Sequence, residues 1–447
     1  MSQSTPPIVL VAALLLSALS SCCASNVYCV TPTLPANTSC TSCPHHYTYT
    51  QCATLSEYAQ KAELYFTSNT TMVFLPGDHT LGMNITAANI SKLTMCAESS
   101  SGYVARIVCN GSVGFSFNSM GDFKIHSLTF TSCGRNFGSS NFKVTLLLES
   151  IQNAELVNCS FHNNVGTTLI VYDTSITVAG NSEFICTCEE FVTNSTCIEG
   201  GGITARDSNL IFTGNTTFAG NDGSAVISVT NCSLSSTGSI HFINNSNTGD
   251  SQHPAGAIWA LASSLRFTGT SNFINNTAHN GYGGAIYASN DASLNFNGTS
   301  NFINNSAYNG GAICASYNTY LSFTGTSNFI ENVARIGGAI NANDTVSLSF
   351  TDTSNFIRNV AAYNGGAIFV SGNVSLNFTG TSNFTYNLAS HGGGAIYACN
   401  NTSLCFTETS NFINMAKGSV RRPSSFYTPW ATHASKPSRP ASWRMVC

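Results

Sequence analysis

The chain has 447 residues, of which 8% are charged and 43% hydrophobic, with a formal net charge of −4. That composition excludes a charge-swollen disordered chain, and the net negative sign offers no basis for a nucleic-acid partner. Asn, Ser, Thr and Gly carry the polarity instead, a mixture suited to short strands and turns and not to long helices. Ile8 to Leu19 is an apolar run of 12 residues. It is short for a bilayer span and typical of a secretory signal, so residues 1–24 read as a signal peptide cleaved after Ala24. No later run reaches the ~18 apolar residues of a transmembrane helix.

Of the 18 Cys, 16 follow that cleavage point. Residues 25–66 form a Cys-rich segment that includes "CTSCPHHYTYTQC", Cys40 to Cys52. Cys-x2-Cys beside His45 and His46 could suit zinc, but in a secreted chain disulfides are favoured, and no metal or cofactor is expected. The candidate disulfide cysteines are Cys29, Cys40, Cys43, Cys52, Cys96, Cys109, Cys133, Cys159, Cys186, Cys188, Cys197 and Cys232. A short capping helix follows: Thr54 and Glu57 have capping-box spacing, and Leu55, Tyr58, Ala59 and Ala62 share one face. The N-x-[ST] sequons offer candidate N-glycosylation at Asn37, Asn69, Asn84, Asn89, Asn110, Asn158, Asn194, Asn215, Asn231, Asn244, Asn275, Asn297, Asn304, Asn343, Asn373, Asn377, Asn383, Asn400 and Asn401. In a chain this rich in Asn, Ser and Thr, they show compatibility with a glycosylating pathway rather than occupancy.

Residues 67–240 read as irregular strand-turn units, and residues 241–414 as regular repeats of 27–28 residues. In the regular part Phe273, Phe302, Phe329, Phe356, Phe384 and Phe412 recur at intervals of 29, 27, 27, 28 and 28. Each period holds three strand signals, as in "GAIYA", "SLNF" and "SNFI". Ile286, Leu294, Phe296 and their equivalents always fall on one face. One such triangular coil cannot bury its interior, but stacked coils can. The expected fold is therefore all-β: a right-handed, single-stranded parallel β-helix with three strands per coil and the short N-terminal capping helix. A sandwich does not explain invariant Ile, Leu and Phe at one period. The Gly pair before each first strand marks a tight corner. Asn276, Asn305, Asn332, Asn359 and Asn387, just after the third strand, are placed to stack as an amide ladder and to take a left-handed backbone conformation.

"GGAI" paired with "F-x-x-N" resembles the repeat of chlamydial polymorphic outer membrane proteins over about residues 240–415. That resemblance implies a β-helical passenger associated with adhesion, and it would also suggest a bacterial outer membrane. Bacterial members carry a C-terminal β-barrel, and none is expected in the thirty or so residues after the last repeat. Upstream, "FLPGDHTL" and "LVNCSFHNN" look like right-handed β-helix proteins of the pectin-lyase-like superfamily.

Acidic residues were weighed for catalysis, because enzymes of that superfamily place carboxylates on one outer face of adjacent coils. Asp173, Asp207 and Asp222 read as scattered. Asp352 and Glu408 share a repeat position two coils apart, with Gly380 between them. His241, His253, His279 and His391 read as solvent-facing turn residues. No catalytic residue is assigned. The candidate ligand-binding row is the residue after the invariant Ile, which is aromatic at Trp259, Tyr287, Phe369 and Tyr397 and is Cys314 and Asn341 in between. Strand propensity or a covering loop is the plainer account of that row. The insertions at 186–199 and 247–254 project from one corner, where solenoid contacts are often made.

The reading is a secreted or cell-surface, non-catalytic adhesion or recognition protein whose partners are cell-surface or matrix glycans or proteins. The alternative is a polysaccharide-active enzyme with its site in the N-terminal coils. Residues 415–447 form a basic, Pro-rich tail with six Lys or Arg and no acids. Its abrupt loss of register suggests disorder or a truncated or frame-shifted reading frame. An uncapped solenoid end would invite end-to-end self-association.

Overall fold

The computed structural model describes residues 26–32, 51–61, 69–98, 104–136, 143–186, 202–248 and 254–413, together with the backbone of 441–443. The expected signal peptide, Cys40, Cys43, Cys188, Cys197, Asn37, Asn194, most of the 186–199 insertion and most of the basic tail lie outside these residues.

Each period becomes one coil of a parallel β-solenoid. In one coil the strands are Ile286–Ser289, Ser293–Phe296 and Ser300–Ile303. They pair in parallel with Ile313–Ser316, Thr319–Phe323 and Ser327–Ile330 of the next. Like stands on like: Ile286 pairs with Ile313, Leu294 with Leu321 and Phe302 with Phe329. Inward and outward residues alternate along each strand, so stacking buries one face of every strand in a single apolar core that runs from Tyr28 to Phe406. From Ser246 onward each coil adds a short fourth strand, such as Ser306–Asn309 and Val333–Ile336, between the ladder Asn and the Gly pair. The period counted from the sequence assigns this stretch to a turn.

The irregular coils obey the same stacking. Phe130, Phe161, Phe184, Phe218, Phe242 and Phe273 form one column, with ring centroids 4.7–5.0 Å apart, and it continues through Phe302 to Phe412. The sequence intervals up to Phe273 are 31, 23, 34, 24 and 31. Coil length therefore varies while the stacked spacing does not, because extra residues are taken up at the corners. A second column, Phe267 to Phe406, stacks at 4.8–4.9 Å. It meets the first edge-on, as at Phe296 and Phe302, in the geometry the ring quadrupoles favour.

The two glycines of "GG" do different work. The first carries a left-handed backbone, with φ of +64° at Gly310. The second is set by the neighbouring coil: a Cβ on Gly311 would lie 2.1 Å from the carbonyl oxygen of Gly338. At the third corner Asn305 Nδ2 donates to Phe273 O (2.9 Å) and to Asn332 Oδ1 (3.0 Å), while its Oδ1 accepts from both the backbone and the side chain of Asn276 (3.0 Å each). The same bonds run from Asn221 through Asn245 and Asn276 to Asn387. The left-handed conformation falls one residue earlier than expected, at Asn275, Asn304, Glu331, Arg358 and Tyr386. The ladder Asn has its side chain turned inward into the stack, so the exposed residue before it makes the bend.

The helix Leu55–Gln60 has the expected capping box, with the Glu57 backbone N–H bonded to Thr54 Oγ1 and the Thr54 N–H bonded to Glu57 Oε2. Tyr58 is buried and its hydroxyl bonds the carbonyls of Cys29 and Gln51, fixing the helix on the first strands. At the other end, the backbone of Ala441–Trp443 pairs antiparallel with the last third strand, Ser410–Ile413.

Cys109 and Cys133 are disulfide-bonded to each other, and Cys186 and Cys405 each take part in a disulfide of their own. Cys29 and Cys52 are register partners on adjacent strands. Three candidates stand corrected: Cys96, Cys159 and Cys232 carry thiols. Cys232 occupies a corner position that carries a hydroxyl on the neighbouring coils, where Thr174, Ser208 and Ser263 bond the carbonyl two residues back. Its Sγ does the same to Thr230 O at 3.2 Å. Cys159 bonds Val157 O in the same way, and burial pushes its thiol up to about 12. In both cases sulfur replaces a turn hydroxyl, and the spacing of cysteines in the sequence gives no sign of that role. Cys96 is part-buried, and burial pushes its thiol up to about 11.

Candidate functional site on the solenoid flank

The outward row after the invariant Ile lies in continuous register, with Trp259 paired to Tyr287, then Cys314, Asn341, Phe369 and Tyr397. None of its four aromatics is fully exposed. Cys314 and Asn341 are 4% and 5% exposed and divide the row into two pairs. Phe369 and Tyr397 stack at 5.4 Å. The fourth-strand segment lies against this row: the Tyr282 ring contacts Tyr287 at 5.6 Å, and a Cβ on Gly392 would meet the Tyr397 ring at 3.0 Å. Upstream the same row contains Leu147 and Ile170, which are buried in a small satellite cluster with Val144.

Three exposed aromatics, Tyr282, Tyr308 and Tyr363, stand on the fourth face, while exposed Tyr317, Tyr320 and Tyr386 stand elsewhere on the coils. The Arg335 guanidinium sits between two rings, 5.0 Å from the Tyr308 centroid and 4.6 Å from that of Tyr363. His391 stacks on the other side of Tyr363 at 4.9 Å and 13°. The backbone fixes the register, because the Tyr363 N–H donates to Arg335 O and the His391 N–H to Tyr363 O, each at 2.9 Å. Tyr308 and Tyr363 remain 41% and 39% exposed. Each cation–π contact at such a site contributes about 0.5–1 kcal/mol.

This column is not visible when positions are counted forward from the third strand and its ladder Asn. Tyr308 and Arg335 stand three residues after theirs, but Tyr363 and His391 stand four after. Counted back from the first Gly of each pair, all four are at the same position, two residues before Gly310, Gly337, Gly365 and Gly393. His391 is thus an exposed member of a stack. His241 differs from expectation in another way: it lies within the strand Ile240–Ile243, half-buried, with Nδ1 3.0 Å from Asn272 Nδ2. There it heads an outer ladder of Asn272, Asn301, Asn328, Asn355, Asn383 and Asn411.

A second place gathers chemistry. Asp173 and Asp207, which read as scattered, occupy the same corner of adjacent coils: their neighbours Tyr172 and Arg206 are register partners, and both acids have left-handed backbones, φ 45° and 51°. Asn231 follows on the next coil and donates to Asp207 Oδ1 at 2.5 Å. Coil spacing puts the backbones of the two acids about 5 Å apart along the axis. They are solvent-exposed and line an open groove of about 720 Å³ with Ser175, Ser208, Asn209 and Asp291. The unequal coil length, 34 residues from Asp173 to Asp207, hid the pairing. Asp222 lies apart, accepting a bond from Thr248 Oγ1 at 2.7 Å. Among the described residues no group of three or more His, Cys, Asp or Glu is placed to hold a metal ion.

Most described sequons are exposed. Asn69, Asn343, Asn377 and Asn383 are half-buried, and Asn383 belongs to the outer ladder. Asn244, Asn275 and Asn304 are stacked on successive coils and hydrogen-bonded to one another.

The family model for the Chlamydia polymorphic membrane protein repeat matches residues 270–289, 299–316 and 381–399. No curated protein matches the chain significantly. Among solved structures, the catalytic unit of a GH87 α-1,3-glucanase from Streptomyces thermodiastaticus is similar at 11% identity and a TM-score of 0.40, over 83% of this chain and 68% of that one. PfbA, a surface adhesin of Streptococcus pneumoniae, is similar at 10% identity and a TM-score of 0.35, over 81% and 89%. A PL6 alginate lyase in complex with a trisaccharide is similar at 10% identity and 0.34, over 94% and 93%. Likeness this low says nothing of activity. From its own strand pairing and the three matched segments, the chain is a parallel β-solenoid carrying repeats of the Chlamydia polymorphic membrane protein type.

Proposed function

We propose that this protein acts at a cell surface or in matrix as a rigid, non-catalytic recognition module that holds its partner along the flank of the solenoid. The observation that carries the reading is the exposed column Tyr308, Arg335, Tyr363 and His391, a set of large side chains ordered by stacking and left open to solvent. Side chains already fixed in place lose little freedom on binding, which favours recognition. The chlamydial-type repeats support placement at a cell surface. The test is binding of the secreted chain to glycan arrays and to intact cells, with and without Tyr308→Ala plus Tyr363→Ala. Loss of binding by the folded double variant is expected, and unchanged binding rejects the column. The half-buried pairs Trp259/Tyr287 and Phe369/Tyr397 are the next candidates, tested by replacing each with Ser.

A second reading has its own observation. Asp173 and Asp207 stand beside an open groove on adjacent coils, at a backbone spacing of about 5 Å, which suits the separation of about 5 Å between the two carboxylates of a retaining glycosidase. Under that reading one would be the acid and the other the nucleophile. Release of new reducing ends from a polysaccharide by the wild type, abolished by Asp207→Asn, would establish it. Binding without turnover favours the first reading.

A further inference from the structure

We propose that the edge of the Arg335 guanidinium is an oxyanion site for an acidic glycan, one bearing uronate carboxylates or sulfates. This rests on the recognition reading above and names the ligand class of the same face. The guanidinium carbon lies over both the Tyr308 and the Tyr363 ring. Arg335 is nevertheless exposed, and the N–H donors along a guanidinium edge make paired hydrogen bonds to a carboxylate or sulfate. Arg335 makes no ion pair among the described residues, and Glu331, the acid nearest in sequence, is taken by Arg358 at 3.2 Å. The surrounding face carries no counter-charge. Segments 277–283, 306–310, 333–337, 360–365 and 388–393 contain Arg335, His279, His391, Tyr282, Tyr308 and Tyr363, and no Asp or Glu.

The shape of the site favours a linear glycan over an acidic protein. The column runs along the solenoid axis and presents, at coil spacing, a phenol hydroxyl, a guanidinium edge, a second phenol hydroxyl and an imidazole edge. An extended chain of sugars offers hydroxyls and one anionic group at a repeat of similar size. A single fixed cation flanked by hydroxyl donors matches that pattern better than a run of carboxylates.

The experiment measures binding of the full secreted chain to a hexagalacturonate, to a chondroitin sulfate oligosaccharide and to neutral cellohexaose. The wild type is expected to bind at least one acidic probe and to bind cellohexaose at least tenfold more weakly. Arg335→Gln should lose tenfold or more on the acidic probe with unchanged circular dichroism, and Arg335→Lys, which keeps the charge but not the fork, should fall between. Which acidic probe binds tells carboxylate from sulfate. The inference is overturned if a folded Arg335→Gln variant binds as wild type, if neutral and acidic probes bind alike, or if polyglutamate displaces the glycan at equal charge. Cell binding that survives Arg335→Gln but not the double tyrosine variant would defeat this inference and leave the recognition reading standing.

Discussion

Asn305 shows how much one buried amide holds in this fold. Replacing it with Ala would leave the Asn276 backbone N–H without its acceptor and would remove the amide's bonds to the Phe273 carbonyl, Asn276 Nδ2 and Asn332 Oδ1, although Asn276 Nδ2 keeps Phe242 O and Asn332 Oδ1 keeps the Asn305 backbone N–H. An orphaned buried group costs about 1–3 kcal/mol and each lost bond about 1 kcal/mol, so Asn305→Ala should destabilise by about 3 kcal/mol or more in urea unfolding. Asn387 ends the described ladder and passes no bond onward, so Asn387→Ala should cost less; equal costs would show that the ladder does not act as a chain. The sequence displayed this ladder because its Asn recurs at the period. It did not display the role of Cys314, whose thiol burial pushes up to about 12. A raised pKa removes the thiolate, leaving roughly one part in ten thousand at pH 8. Iodoacetamide should therefore spare Cys314 in the native protein at pH 8 and label it in guanidinium. Native labelling at the rate of a free thiol would contradict its burial.

Among the elements, the corners are the most demanding. A Cβ on Gly311 meets the Gly338 carbonyl at 2.1 Å and the Val333 backbone at 2.7 Å. No side chain can move aside there, so coils would have to part. Gly311→Ala is expected to destabilise by about 3 kcal/mol or more and to lower the melting temperature sharply; a wild-type melting curve would refute the close-contact account. The coil that begins at Pro254 makes the same point, since its first position is Ala255 while Gly256, beneath the Gly284 carbonyl, is kept. Strand order, inward faces and the capping helix were legible because each follows from local periodicity or capping chemistry. The fourth strand was not. Its residues vary, and it forms only where neighbouring coils offer a strand to pair with.

For the whole molecule, one coil is one unit whose interactions are with the coils on either side. Deleting residues 310–336 would join Asn309 to Gly337 and bring Ile286 into register with Ile340. The shortened protein should fold with unchanged circular dichroism per residue. It would also place Tyr308 two residues before Gly337, so the column would persist as Tyr308, Tyr363 and His391 without its cation. Retained folding with loss of acidic-glycan binding is the expected result; failure to fold would mean that coils are not interchangeable.

The sequence by itself determined the period, the inward Ile, Leu and Phe, the Asn ladder and hence the parallel solenoid, because stacking demands that like residues recur. Only the tertiary structure decided which variable residues meet. Spatial neighbours here lie one coil apart, and coil length changes at the corners while axial spacing stays fixed. Asp173 and Asp207 were brought together across 34 residues, and Tyr308, Arg335, Tyr363 and His391 across intervals of 27, 28 and 28. Their alignment follows from where each corner absorbs its extra residues, and the backbone pairing between coils, not the repeat count, sets that.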